Sequence, residues 1–225
     1  MITRIEQIVN ALEPQLIEQR RDFHKYAESG WTEFRTASLI ARKLHDLGFE
    51  VKLGRDVVRE ADRMGVPDEA TLEKHYQRAR EQGADPEFLP ALRGGFTGVV
   101  GILRCGEGPV IGMRFDIDAV DMTESQSPEH RPVREGFASV NPEAMHSCGH
   151  DGHASIGLGV AAALVELKDQ LRGTVKLVFQ PAEEGVRGAK AVVGSGILDD
   201  VQYMFAAHLG SGSPTGSVAG GRGSF

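Results

Sequence analysis

Apolar residues recur with helical spacing at Ile5, Ile8, Val9, Leu12, Leu16 and Phe23, which predicts an opening helix. Pro14 falls inside that run and is expected to kink or restart it. A second helix is predicted from Phe34, Ala37, Ile40, Ala41, Leu44 and Leu47, with Gly48 as its C-terminal stop and a strand from Phe49 to Leu53. This front region reads as scaffold. Between about 55 and 95 the pattern changes to dense charge, with a polar helix near 69–82 that starts at Pro67 or Asp68 and ends at Gly83. Such a segment reads as a surface excursion and not as a second core.

From Phe96 onward, short β-rich runs alternate with helices. FTGVVGILRC, PVIGMRFDIDAV, TVKLVFQ and YMFAAHL read as strands. HASIGLGVAAALVELKDQL reads as a buried helix, and a short helix is expected near Arg187 to Val193. Strands alternating with helices predict an α/β fold, a layered domain whose largely parallel mixed sheet is flanked by helices. On this reading residues 1–210 form one α/β domain with a charged helical insertion at about 55–95. The glycine- and serine-rich stretch 211–225 reads as a linker towards a further domain.

Composition narrows the classes of function. The formal net charge is -7, from 25 basic and 32 acidic residues, and no basic stripe with interleaved aromatics is present, so a nucleic-acid partner is not expected. No run reaches the ~18 apolar residues that span a bilayer, and no membrane association is expected. The charged N-terminal stretch lacks the apolar core of a signal peptide, so a cytoplasmic location is expected. Of the two cysteines, Cys105 and Cys148, the latter sits among histidines, which points to metal chemistry in a reducing compartment.

The densest chemical signal is MHSCGHDGHAS, residues 145–155. His146, Cys148 and His150 alternate, so an extended segment would turn all three to one side, and His153 follows where a helix begins. A thiolate with imidazoles suits zinc best, while manganese, cobalt and nickel remain open. A closed, structural zinc site that serves protein partners is the rival reading of this stretch. The second signal is QPAEEG, directly after the strand TVKLVFQ. Adjacent carboxylates repel, and the Glu183–Glu184 pair makes sense when a cation neutralises one acid while its neighbour acts as general base. The pair lies at the carboxyl end of a strand, where open α/β sheets place their sites. Asp116 and Asp118 end the strand GMRFDIDAV, and His208 ends YMFAAHL. If these strands are parallel neighbours, Asp116, Glu183, Glu184 and His208 converge beside Cys148 and His150.

MHSCGHDGH, QPAEEG and AAHLG, in this order and spacing, resemble the M20 metallopeptidase family in its branch of acyl-amino-acid amidohydrolases. RFDIDAV is similar to that branch's Arg-x-Asp-x-Asp-Ala element, and the resemblance runs over essentially the whole chain. It implies two divalent metal ions, manganese or zinc, with Cys148, His150, Glu184 and His208 as ligands and Glu183 as general base. Asp116 is implied to support the metal shell. The charged excursion, with AESGWTEFRTA and HRPVREGFASVN, draws the resemblance towards hydrolases of p-aminobenzoyl-glutamate, a folate breakdown product. The implied partners are a small N-acyl amino acid substrate and either a second, B-type subunit or a homodimer mate. A general N-acyl-amino-acid amidohydrolase of the aminoacylase or hippuricase kind is the alternative. The family's final histidine ligand and its lid domain have no counterpart in these 225 residues, so this segment alone is expected to hold metal incompletely and to turn over little. Phe115 and Asp121 also depart from the wider branch, which often carries smaller residues and a proline there.

Overall fold

The computed structural model describes residues 2–210, 212 and 214–221. The opening helix α1 (Ile2–Lys25) is continuous through Pro14. Its apolar residues do not form the buried stripe that their spacing predicts, because Ile5, Val9 and Ile17 stay exposed and only its carboxyl end, at Phe23 and His24, is buried. The helix lies on α5 (His150–Glu166) with most of its length uncovered on the far side. Helix α2 (Phe34–Asp46) buries Phe34, Ala37, Ile40, Ala41 and Leu44, and Gly48 follows with φ +83°, a left-handed exit that glycine adopts without cost.

Five strands form one mixed sheet in the order β1-β2-β4-β3-β5. They are β1 (Glu50–Leu53), β2 (Val99–Arg104), β3 (Val110–Asp116), β4 (Thr174–Gln180) and β5 (Tyr203–Ala206). The β1–β2 and β2–β4 pairings are antiparallel, whereas β4, β3 and β5 run parallel. The parallel character therefore sits in one half of the sheet, the half whose carboxyl ends carry the chemical motifs. Val175, Leu177 and Phe179 of β4 pack into the core beneath α5 and α2, as a central strand flanked by pairing partners should. β5 is different: Tyr203, Met204 and Phe205 are exposed on this edge strand.

The charged excursion contributes more than surface. Helix α3 (Glu69–Glu81) begins where Asp68 accepts the Thr71 N–H at 2.8 Å, the N-cap that the sequence suggests. Its few apolar residues, Leu72, Tyr76 and Ala79, are one helical stripe and join the same core as Phe34 and Trp31, together with Leu89 and Leu92. The charge density hides this stripe, because α3 buries only a narrow face. The excursion is also tied to the far end of the domain. Arg59 N–H donates to the Ala191 carbonyl of the short helix α6 (Ala189–Gly194), and Trp31 donates to the Met64 carbonyl at 2.8 Å. A one-turn helix α4 (Arg131–Arg134) lies in the long connection between β3 and α5. No helix among the described residues is long and apolar enough to cross a membrane.

Candidate metal centre

The parallel register places Asp116 opposite Gln180 at the ends of β3 and β4, so the chain segments that leave those strands, 117–120 and 181–188, start side by side. The start of α5 arrives at the same spot. Gly149 holds φ +85° as it turns the chain into the helix, and His150 is the first helical residue. His208 comes in two residues after β5. Donor atoms of Cys148, His150 and His208 lie within 4.8 Å of one another, as do those of His150, Glu183 and Glu184, and those of Asp116, His150 and His153. His150 belongs to all three groups. Residues far apart in sequence thus meet because three parallel strands and one helix end at a single edge.

Hydrogen bonds settle what each histidine can offer. His150 Nδ1 is 2.9 Å from the Asp118 carbonyl, which can only accept, so Nδ1 carries the proton and Nε2 keeps its lone pair. That Nε2 is buried and has no hydrogen-bond partner among the described residues, and the same holds for Glu184 Oε1 and Asp116 Oδ1. His150 shares one donor group with Glu184 and another with Asp116, and orphaned buried acceptors are costly unless a cation joins them. The donor set therefore fits a divalent metal. His153 differs, because its Nε2 accepts the Leu209 N–H at 3.0 Å while its Nδ1 faces Asp116 at 3.6 Å. It holds the His208 segment and leaves no lone pair for a cation.

His146 corrects the alternation argument. It is buried with both ring nitrogens unpartnered among the described residues, and it belongs to none of the three groups. The run is not extended at His146, where Ser147 N–H donates back to the Met145 carbonyl at 2.9 Å, so Cys148 and His150 face the cluster while His146 lies towards His24, with ring centroids 6.3 Å apart. Burial pushes His146 down to about 4, and it stays neutral.

Asp118 carries most of the positioning. One oxygen accepts the Glu184 N–H at 2.9 Å, and the other stands 3.3 Å from His150 Nδ1. Asp116, the residue singled out from the motif, is equally buried but contacts Arg114 at 3.3 Å and His153. The strand pattern places both acids at one terminus without separating them, since β3 stops at Asp116 and the direction of Asp118 depends on the loop.

Electrostatics sort the two glutamates and the thiol. Glu183 is raised by burial and then by Asp116, with His150 acting against this, and its Oε2 lies 3.8 Å from His150 Nε2. A carboxylate so raised is a better proton acceptor at neutral pH. Burial and then the neighbouring Glu184 push the half-buried Cys148 thiol up to about 11, so it becomes a thiolate ligand only opposite a cation. Cys148 Sγ lies 3.3 Å from His208 Nε2.

Two buried networks lie outside the site residues predicted from the sequence. His24 is held between Asp151 at 2.8 Å and Glu124 at 2.9 Å, with Arg20 also on Asp151. Glu33, fully buried, reaches both Thr97 and Ala182. Nothing in local pattern distinguishes either residue from an ordinary surface polar.

The mixed sheet thus gathers at one edge a donor set that suits a divalent cation. Residues 112–222 match the profile of Peptidase family M20/M25/M40, and the chain belongs to that family through the segment holding every candidate residue named above. It is 54% identical over 222 residues to the A-type subunit of p-aminobenzoyl-glutamate hydrolase from Escherichia coli (strain K12), covering 98% of this chain and 51% of that protein. It is 53% identical over 222 residues to indole-3-acetyl-aspartic acid hydrolase of Enterobacter agglomerans, with the same 98% and 51% coverage. The crystal structure of an aminobenzoyl-glutamate utilization protein from Klebsiella pneumoniae superposes with TM-score 0.79 at 45% identity, covering 93% of this chain and 47% of that one. A Bacillus subtilis structure, described as a dinuclear metal binding peptidase from the M20 family, gives TM-score 0.65 at 30% identity, covering 91% and 45%. The chain spans about half the length of the relatives it matches.

Proposed function

We propose that this chain supplies the metal-holding and proton-transferring residues of an amidohydrolase that cleaves p-aminobenzoyl-glutamate into p-aminobenzoate and glutamate. The observation that carries the proposal is the Glu183 carboxylate, raised in pKa and 3.8 Å from the unpartnered His150 Nε2. Cys148, His150, Glu184 and His208 are the proposed ligands, and the likeness to a structure described as a dinuclear metal binding peptidase supports two cations. Thiolate and imidazole favour zinc, while the carboxylates admit manganese. When bound, such a cation polarises the amide carbonyl and makes nearby water more acidic.

The chain's own residues do the rest. Glu183 takes a proton from the attacking water as the new C–O bond forms, and returns it to the amide nitrogen as the C–N bond breaks. Asp118 keeps the His150 imidazole in one tautomer and holds the Glu184 main chain. Asp116, through His153, supports the segment that carries His208.

A second reading is favoured by the 53% identity to a hydrolase named for an indole-3-acetyl conjugate of aspartate. Both named substrates join an aromatic acyl group to an acidic amino acid, and we take that pairing as the substrate class. A general N-acyl-amino-acid hydrolase is the broader alternative. Two relatives are named as the A-type component of their enzyme, which supports a B-type partner chain, with a homodimer as the other arrangement. Two free thiols support placing the protein in the cytoplasm.

The test uses the full-length gene product. Glu183→Ala should retain its metal by elemental analysis and lose about 10²- to 10⁴-fold in turnover. A variant with near-normal rates would remove the base assignment. Wild type assayed on p-aminobenzoyl-glutamate, indole-3-acetyl-aspartate and benzoylglycine separates the three substrate readings.

A further inference from the structure

Glu33 stands directly before α2 and has no solvent exposure. Its side chain joins three segments that are distant in sequence. One oxygen accepts the Ala182 N–H at 2.8 Å, and the other is 2.6 Å from the Thr97 hydroxyl. Burying a carboxyl group is expensive, and burial followed by the charge of Asp118 drives Glu33 well above the ordinary carboxylate range. A site needing only bulk would favour an apolar side chain here.

What Glu33 holds is the root of the loop bearing the Glu183–Glu184 pair. Ala182 has φ +49°, a left-handed conformation rare for a residue with a side chain. The loop closes on itself, with Arg187 N–H donating to the Ala182 carbonyl and Val186 N–H to that of Glu183. A Cβ at Gly188 would meet the Pro181 carbonyl oxygen at 1.8 Å, so the two ends of the turn are in direct contact. A turn closed this tightly moves as a unit. Among the described residues, Glu33 is the acceptor for the Ala182 amide.

We propose that Glu33 is a positioning residue for the hydrolytic reaction, setting the stance of Glu183 and Glu184 against His150 through the Ala182 amide. This rests on the hydrolase reading above. Glu33 is in none of the three donor groups found among the described residues, and acts through the residue next to the base. Geometry sets the size of the effect, since a displacement of about 1 Å at a reacting group costs on the order of 100-fold in rate.

The test compares Glu33→Ala, Glu33→Gln and Thr97→Val in the metal-loaded, full-length gene product. Glu33→Ala is expected to lower kcat about 100-fold with KM within about threefold and metal content unchanged. Hydrogen exchange in the peptide 181–188 should quicken in that variant. Glu33→Gln, whose amide oxygen still accepts the Ala182 N–H, should restore loop protection and most of kcat. Thr97→Val, which frees one Glu33 oxygen, should lower kcat by roughly tenfold and loosen the same peptide. If Glu33→Ala does not fold, the Gln and Val variants decide the matter on the same two readouts. The proposal is overturned if loop exchange is unchanged without the carboxyl group, if kcat survives, or if Gln is no better than Ala. Should wild type hydrolyse no N-acyl amino acid, the functional reading fails, and the exchange data still show whether Glu33 holds the loop.

Discussion

Asp118 accepts the main-chain N–H of Glu184 at 2.9 Å on one carboxylate oxygen, while its other oxygen and its carbonyl face the His150 ring. One residue therefore ties the loop after β4 to the start of α5. Such outer partners of ligands typically contribute 10- to 100-fold in metal affinity. Asp118→Ala is expected to weaken metal retention by about that factor in a chelator competition, with the fold intact by circular dichroism. Undiminished affinity would mean that the main-chain carbonyl of residue 118, which the substitution keeps, is enough to orient His150.

His24 supplies a pH-dependent contribution to stability. Burial alone would lower it, but hydrogen bonds to Asp151 and Glu124 outweigh burial and raise it above its ordinary 6.5. A group raised on folding stabilises fully below its unfolded pKa, and that contribution fades as pH climbs through the folded value. The stability gap between wild type and His24→Ala should be about 3 kcal/mol near pH 6 and shrink as pH rises above 6.5. Urea denaturation across pH 6 to 9 measures it. A gap that widens with pH would reverse the assigned protonation.

Val186 is exposed, β-branched and at φ +58°, beside Gly185 at φ +75°. A left-handed conformation costs a residue with a side chain roughly 1–2 kcal/mol, and this side chain buries nothing in return. Val186→Gly is expected to stabilise the chain by about 1 kcal/mol, read as a higher urea midpoint. Unchanged or lower stability would show that the turn tolerates valine without strain.

The cluster 145–155 and the acid pair are legible because their residue types are rare together and their chemistry is local. Strands, helices and most caps can be read from periodicity, down to Asp68 at the start of α3. Alternation groups His146 with its neighbours, yet a tight turn centred on it, closed by the Ser147 N–H on the Met145 carbonyl, sends it away from Cys148 and His150. The buried stripe of α3 is obscured for a related reason: three inward residues in thirteen are a weak signal beneath heavy charge.

By itself the sequence determined which side chains can bind a cation and take a proton, because side-chain chemistry travels with residue identity. Only the tertiary structure decided how they are used. Asp118 and not Asp116 orients His150, His153 is occupied by the Leu209 amide, and Glu33 holds a loop 149 positions further along. Those roles depend on where loops from different strands meet, and hydrogen bonds between segments so far apart leave no periodic trace along the chain.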